Sequence, residues 1–403
     1  MATLHPFTAL RPVPEKVEEV ASVPYDVVSS EEARALAEGK PLSFLHVIRP
    51  EIDLPPGTDE HADSVYEKGA ENLRAYAESA HSLQEAAPML YVYRLVMEGQ
   101  AQTGLFGCVA VGEYDGGTIV RHENTRPAKE DDRTHHILEQ QAHAEPVMLT
   151  FRDDADVQRL VDQTVENEPL YDFEAEDGVR HTLWKVAEPT ALVEAFGAVP
   201  LVYVADGHHR CKAASRAAEE LNQVVDHVDP EVDFFPAVLF PVSQMRILSY
   251  NRIVRTLPAP PAAFLEKLED RFDVRPDAAP VPGEAGQISV YLEGRWYGIS
   301  LPPSEGATVA AQLDVARLGE HLLEPLLGIT DPRTDPNLDF VGGIRGTQAL
   351  EKLVDSGQAQ MAISMHPTSV EELLDVSDAG ELMPPKSTWF EPKLRSGLLV
   401  HRF

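Results

Sequence analysis

The run Leu201 to Asp206, LVYVAD, followed at once by GHHRCKAASRAAEELN, constrains this chain more than any other stretch. The first six residues, apolar and rich in β-branched and aromatic side chains, read as a short buried strand. The Ala-rich continuation has apolar positions at helical spacing and reads as a helix. Asp206, Gly207, His208, His209 and Arg210 must therefore lie in the tight turn where the strand hands over to the helix N-terminus. Such a turn offers unpaired backbone N–H groups, the positive end of a helix dipole and, at Gly207, room for close approach. That suits an anion such as phosphate. The side chains add a carboxylate, two imidazoles that titrate near neutrality and a guanidinium able to grip phosphate with two hydrogen bonds. A capping Asp, surface imidazoles and an ion-paired Arg are the plain alternative, but two His and an Arg directly after a buried strand favour a site.

The chain has 403 residues, 43% of them apolar, which is enough for two or three packed units. Its two cysteines, Cys108 and Cys211, sit inside patterned segments, so they read as small buried residues in a reducing compartment. With 66 acidic residues against 34 basic ones the net charge is −32. Such a surface repels nucleic-acid backbones and anionic membranes, and neither is an expected partner. There is no apolar run of membrane-span length and no basic-then-apolar leader, which reads as a cytoplasmic protein.

The expected fold class is α+β, with mixed α/β character. Phe7 to Val13 reads as extended, and Ser29 with Glu32 forms a capping box for a helix that stops near Gly39. SFLHVI reads as extended, Ala62 to Ser79 as an amphipathic helix, and MLYVYRLVM with TGLFGCVAVGEY as a hairpin. PVMLTF, HTLWKV, FFPAVLFPV and ILSYNRIV read as strands, and ISVYLEGRWYGISL as a second hairpin. Proline-rich punctuation from Pro258 to Pro261 places a boundary near Leu257. The expected regions are thus an N-terminal α/β part, 1–257, and a C-terminal α+β part, 258–403, whose basic tail docks on the site.

Two further constellations carry chemistry. Arg121, His122, Glu123, Asn124, Thr125 and Arg126, with Lys129, Asp132 and Arg133, concentrate both charge signs in a loop leading into a helix, a combination able to clamp phosphates and a divalent ion. His135 and His136 read as helix surface. In the tail, Lys386, Ser387, Thr388, Lys393, Arg395 and Ser396 stand among prolines and aromatics in an otherwise acidic chain, which fits a docked anion-binding segment. Paired-Cys and H-E-x-x-H patterns are missing, so a structural zinc is not expected. Magnesium on Asp206 plus phosphate oxygens needs fewer protein ligands. Neither a P-loop nor a Rossmann fingerprint occurs.

HPFTALRP with PYDV, SFLHVIRPE, RHENTRPAKEDDR, VADGHHR, SYNRIV and MPPKSTWFEPKLRSGL together resemble domain of unknown function 1015 over nearly the whole chain. The DGHHR turn also looks like the signature of the ParB/sulfiredoxin superfamily, which implies a nucleotide-binding core elaborated by N-terminal and C-terminal regions. Within that superfamily it is similar to free serine kinases, which phosphorylate the hydroxyl of free L-serine. By that resemblance Asp206, Gly207, His209 and Arg210 bind donor phosphates and metal. The sulfiredoxin cysteine would fall at His208, so sulfinic-acid reduction is not implied, and the acidic surface argues against a DNA-binding ParB role.

The resulting expectation is a magnesium-dependent small-molecule kinase that takes a phosphoryl group from ATP or ADP and makes O-phospho-L-serine. Asp206, His209 and Glu123 are the expected catalytic residues, with Asp26 and Asp132 as other candidates for the base. Gly207, His208, Arg210, His122, Thr125, Lys129, Arg133, Lys386, Ser387, Thr388 and Lys393 are expected to bind the cofactor, and Asp206 the Mg2+. A nucleotide-binding regulator and a phosphoesterase are the alternatives, and a homodimer is open.

Overall fold

In the computed structural model, which describes residues 1–224, 229–306 and 308–403, the LVYVAD run is the strand Val202–Asp206 and the helix His208–Val224 follows it. Val202 and Val204 point into a core shared with Val147, Leu149 and Phe151 of the neighbouring strand. The helix lays Cys211, Ala214 and Ala218 against the same core, and Ala213 and Ala217 on its other side meet Ile137. Small residues on both faces let it pack tightly between the sheet and the helix Pro127–Gln140. Both cysteines are buried and unbonded, with their thiol pKa values pushed up by desolvation, as expected of small core residues.

The fold is α+β and divides into two units, Met1–Met245 with Pro392–Phe403, and Arg246–Glu391. The first unit carries an eight-stranded mixed sheet in the order Ile119–Val120, Val202–Asp206, Val147–Phe151, Phe234–Pro241, Gln100–Ala110, Tyr91–Met97, Arg180–Lys185, Tyr171–Glu174. The predicted hairpin is its pair Tyr91–Met97 and Gln100–Ala110, antiparallel throughout. A smaller sheet in the same unit sets Val400–Arg402 between Ala9–Pro12 and Ala142–His143. The second unit is built on a six-stranded antiparallel sheet, with Gln287–Leu292 and Met361–Met365 at its centre and a core of its own around Phe264, Leu268, Leu318 and Leu322.

Three expectations need correction. The boundary falls at Met245/Arg246 rather than near Leu257, because Tyr250–Val254 pairs with Leu338–Gly342 and Met361–Met365 of the second unit. The last twelve residues return to the first unit, so no single cut separates the two. SFLHVI is not extended: Leu45–Ile48 is a helical turn, buried in a cluster with Tyr25, Leu73 and Tyr76. His136 is buried rather than on the helix surface, with its ring edge-on to Tyr66, while His135 is exposed as expected.

Candidate active site

The strand pairing itself delivers Asp206. Along its contact with Val147–Phe151 the register runs Val204 to Leu149 and then Asp206 to Met148, leaving Ala205 as an extra residue. A bulge of this kind re-aims the side chain that follows it. Gly207 then takes φ +102°, and a Cβ there would meet Val147 Cγ1 at 3.1 Å and Arg210 Nε at 3.2 Å. A side chain would therefore be strained and crowded at this position.

Asp206 is the charge centre of the turn. Lys393 Nζ donates to its Oδ2 at 2.7 Å, and an Arg210 nitrogen lies 3.7 Å from Oδ1. The Asp206 side chain is 22% exposed. Burial works against its ionisation, but the ammonium and guanidinium outweigh that and hold its pKa well below the usual carboxylate range. Arg210 donates to the Pro146 carbonyl, while its Nε is buried without a hydrogen-bond partner. Desolvation opposes its charge, yet Asp26, Glu145 and Asp206 raise its pKa overall.

His209 is half-buried and accepts a hydrogen bond on Nε2 from the Arg126 backbone N–H at 3.1 Å. Burial lowers its pKa, so the ring is neutral near pH 7 and carries its proton on Nδ1. His208 turns the other way. It is buried edge-on against His122, with ring centroids 4.5 Å apart. The pairing follows from topology, because Ile119–Val120 runs parallel to Val202–Tyr203 and the two chains leave the sheet side by side. Burial takes the His122 pKa down to about 4 and that of His208 well below its ordinary value.

The charged run after Arg121 splits between jobs. Thr125 hydrogen-bonds Glu130, which also pairs with Arg216 at 3.4 Å, and Lys129 lies in the first turn of the helix Pro127–Gln140. Asp132 and Arg133 lie further along that helix and not in a loop, and both are buried. Asp132 takes Arg133 at 2.9 Å, Tyr66 at 3.3 Å and His61 at 3.2 Å, an arrangement that anchors structure and leaves little of the carboxylate for a base. Arg133 stacks over the Tyr25 ring at 4.0 Å and reaches Glu145 at 3.8 Å. It is thus a buried structural cation, not the exposed phosphate ligand expected of a loop arginine.

Glu145 is the residue that sequence reading passed over. It is buried, accepts from the Tyr25 backbone N–H at 3.1 Å and the Ser396 hydroxyl at 3.0 Å, and its pKa is raised by desolvation. Runs far apart in sequence, PYDV, RHENTRPAKEDDR, DGHHR and KLRSGL, each send a residue to it or to its immediate charge field. The only local signal was an acid placed directly before an apolar strand.

The tail divides between the units. Lys393, Arg395 and Ser396 belong to the first, where Arg395 pairs with Asp177 and donates to His181 at 3.2 Å. Lys386, Ser387 and Thr388 belong to the second unit. There the Lys386 ammonium lies 5.1 Å from the Tyr250 ring centroid and the Ser387 hydroxyl donates to Pro384 O at 2.6 Å. No described helix is long and apolar enough to cross a membrane.

The family model for DUF1015, described as protein of unknown function, matches residues 4–316. The chain belongs to this family. No curated protein matches the DUF1015 chain. Among solved structures it is similar to a free serine kinase in complex with AMP, at 11% identity and TM-score 0.37, over 73% of this chain and 91% of that one. It is also similar to C-terminally truncated SbnI from Staphylococcus aureus, at 15% identity and TM-score 0.38, over 73% and 86% of the two chains. A conserved hypothetical protein from Pyrococcus furiosus matches at 10% identity and TM-score 0.36, over 73% and 94%.

Proposed function

We propose that this DUF1015 protein is a magnesium-dependent small-molecule kinase that moves a phosphoryl group from ATP or ADP to an alcohol hydroxyl, with free L-serine as the first acceptor to test. The observation that carries the reading is the convergence of Asp206, Arg210 and Lys393 on the Gly207 turn. The residues fit a nucleotide phosphate: a Cβ at Gly207 would crowd the turn, and the buried Arg210 Nε lacks the acceptor that an anion provides. Bound there, a magnesium nucleotide supplies the phosphoryl group and a divalent countercharge.

The chain's own residues then divide the remaining work, which in phosphoryl transfer is mostly positioning and charge neutralisation. Arg210 and the turn N–H groups bind phosphate oxygens. Asp206, ionised at any physiological pH, holds the cation, and Lys393 balances the surplus negative charge. His209 offers Nδ1–H to the transferring group. Asp26 is exposed and acts on both Arg210 and His209, which makes it the carboxylate best disposed to accept the hydroxyl proton. The acceptor is taken from the resemblance of the DGHHR run to free serine kinases. A hydrolase built on the His pair is less well supported, because His208 is buried against His122.

The test is incubation with ATP or ADP, Mg2+ and L-serine, read by phosphorus NMR for O-phosphoserine. Asp206→Asn is expected to lower turnover by roughly 100-fold or more. Tight nucleotide binding without product from serine or other small alcohols would leave a regulator. Phosphate release that ignores the acceptor would leave a phosphoesterase.

A further inference from the structure

His122, Glu123 and His208 each offer a ligand atom, and these atoms lie within 4.8 Å of one another. His122 and His208 are 1% and 7% exposed. Both ring nitrogens of His122, and Nε2 of His208, are buried without a well-formed hydrogen bond, although the Val204 backbone contributes some stabilisation to His122. A buried imidazole nitrogen without a partner points to a trapped water or an ion, and His136 and His401 have one such nitrogen each. Here three such nitrogens, on two perpendicular rings, lie beside a carboxylate.

We propose that His122, Glu123 and His208 bind a divalent transition-metal ion of the zinc type, at a site separate from the Asp206 carboxylate that would serve a magnesium nucleotide. Two imidazoles and a carboxylate form a mixed nitrogen and oxygen set that suits zinc, cobalt or nickel, whereas magnesium takes oxygen ligands and keeps its waters. Ligand atoms on one tetrahedral zinc lie about 3.3 Å apart, given bonds of about 2.0–2.1 Å. The observed spacing exceeds that by no more than about 1.5 Å, so binding needs only a local adjustment of the three side chains. The backbone already directs the ligands, His122 by the edge strand before it and His208 by the first turn of the helix His208–Val224. Nearby charge is mixed: Asp206 acts on His122, and Arg121 acts on His208. In this assignment Glu123 is a ligand and not the base, which leaves that role to Asp26.

The experiment uses the full chain, stripped with a chelator, dialysed, and titrated with Zn2+ or Co2+ in the absence of nucleotide. The expected result is one ion per chain after gel filtration, with a visible Co2+ spectrum of nitrogen and oxygen ligation. His122→Ala and His208→Ala are expected to lose that ion. Their affinity should fall by more than the roughly 10–100-fold typical of losing an outer partner. Glu123→Gln should weaken binding by at least about tenfold. If His122→Ala does not fold, His208→Asn and Glu123→Gln carry the test, with cooperative unfolding checked first. The chain has 15 histidines. Binding that survives these variants unchanged, or a wild type that binds less than one ion, overturns the site and leaves trapped water as the occupant. Because no nucleotide is present, failure here leaves the kinase reading untouched, and an inactive kinase leaves this site untouched.

Discussion

Arg210 of the first unit and Arg252 of the second, both with little exposure, are handled in opposite ways. Arg210 lies among carboxylates, Asp206 at 3.7 Å with Asp26 and Glu145 nearby, and its pKa is raised. Arg252 in the second unit is 2% exposed and meets the backbone carbonyls of Tyr250 and Lys386, the latter at 3.1 Å, and the ring of Phe340 at 5.5 Å. Desolvation pushes its pKa down to about 10. The first arrangement keeps a guanidinium charged among carboxylates, with its Nε left for a further acceptor. The second uses a guanidinium as a clamp: it fixes the backbone of Lys386, a non-glycine residue at φ +61°. Neither burial nor carboxylate partners alone mark an arginine as functional, since Arg133 has both; what sets Arg210 apart is a buried Nε without a hydrogen-bond partner beside the Gly207 turn.

The comparison breaks or holds on substitution. Arg210→Met removes the cation beside the buried Glu145 and the partly buried Asp206 and is expected to destabilise the first unit by about 3–5 kcal/mol, with loss of any nucleotide binding. Urea unfolding would measure it. Arg252→Met leaves carbonyls and not charges unpaired, so about 1–3 kcal/mol is expected. Equal losses for the two arginines would erase the distinction drawn between them.

A finer probe is Lys393→Met, expected to cost about 1–2 kcal/mol at pH 7, since the pair is only partly buried. Asp206 has a folded pKa below its ordinary 3.8, so its contribution is present above that value and is lost as pH falls through the folded one. The penalty of Lys393→Met should therefore be largest near neutrality and shrink below about pH 4. A penalty independent of pH would show that Lys393 acts through packing alone.

Much of the fold could be read from the sequence because its elements carry strong local signals. The Ser29 and Glu32 capping box forms as predicted, and the strand and helix around DGHHR are where their periods put them. SFLHVI failed because a short apolar run fits strand and helix equally, and only packing against Tyr25, Leu73 and Tyr76 decides. The boundary failed because proline punctuation is local, while the pairing that assigns Tyr250–Val254 to the second unit spans about a hundred residues. At the site, the cations of the tail stood out in an acidic chain, but that Lys393 would meet Asp206 depended on the return of the terminus to the first unit. The bulge at Ala205 leaves no mark that a single sequence reveals, and Glu145 leaves only its place just before an apolar strand.

That return has a consequence for synthesis. Asp206, His209 and Arg210 leave the ribosome long before Lys393 and the strand Val400–Arg402, with all of Arg246–Glu391 made in between. At 5–20 residues per second the nascent first unit waits on the order of ten seconds for its last pieces. During that interval the Asp206 carboxylate has no lysine, and the small sheet lacks the strand between Ala9–Pro12 and Ala142–His143. Completion of the charge centre is thereby tied to synthesis of Lys393, and a chain cut short between Arg210 and Lys393 would carry the DGHHR turn without that lysine.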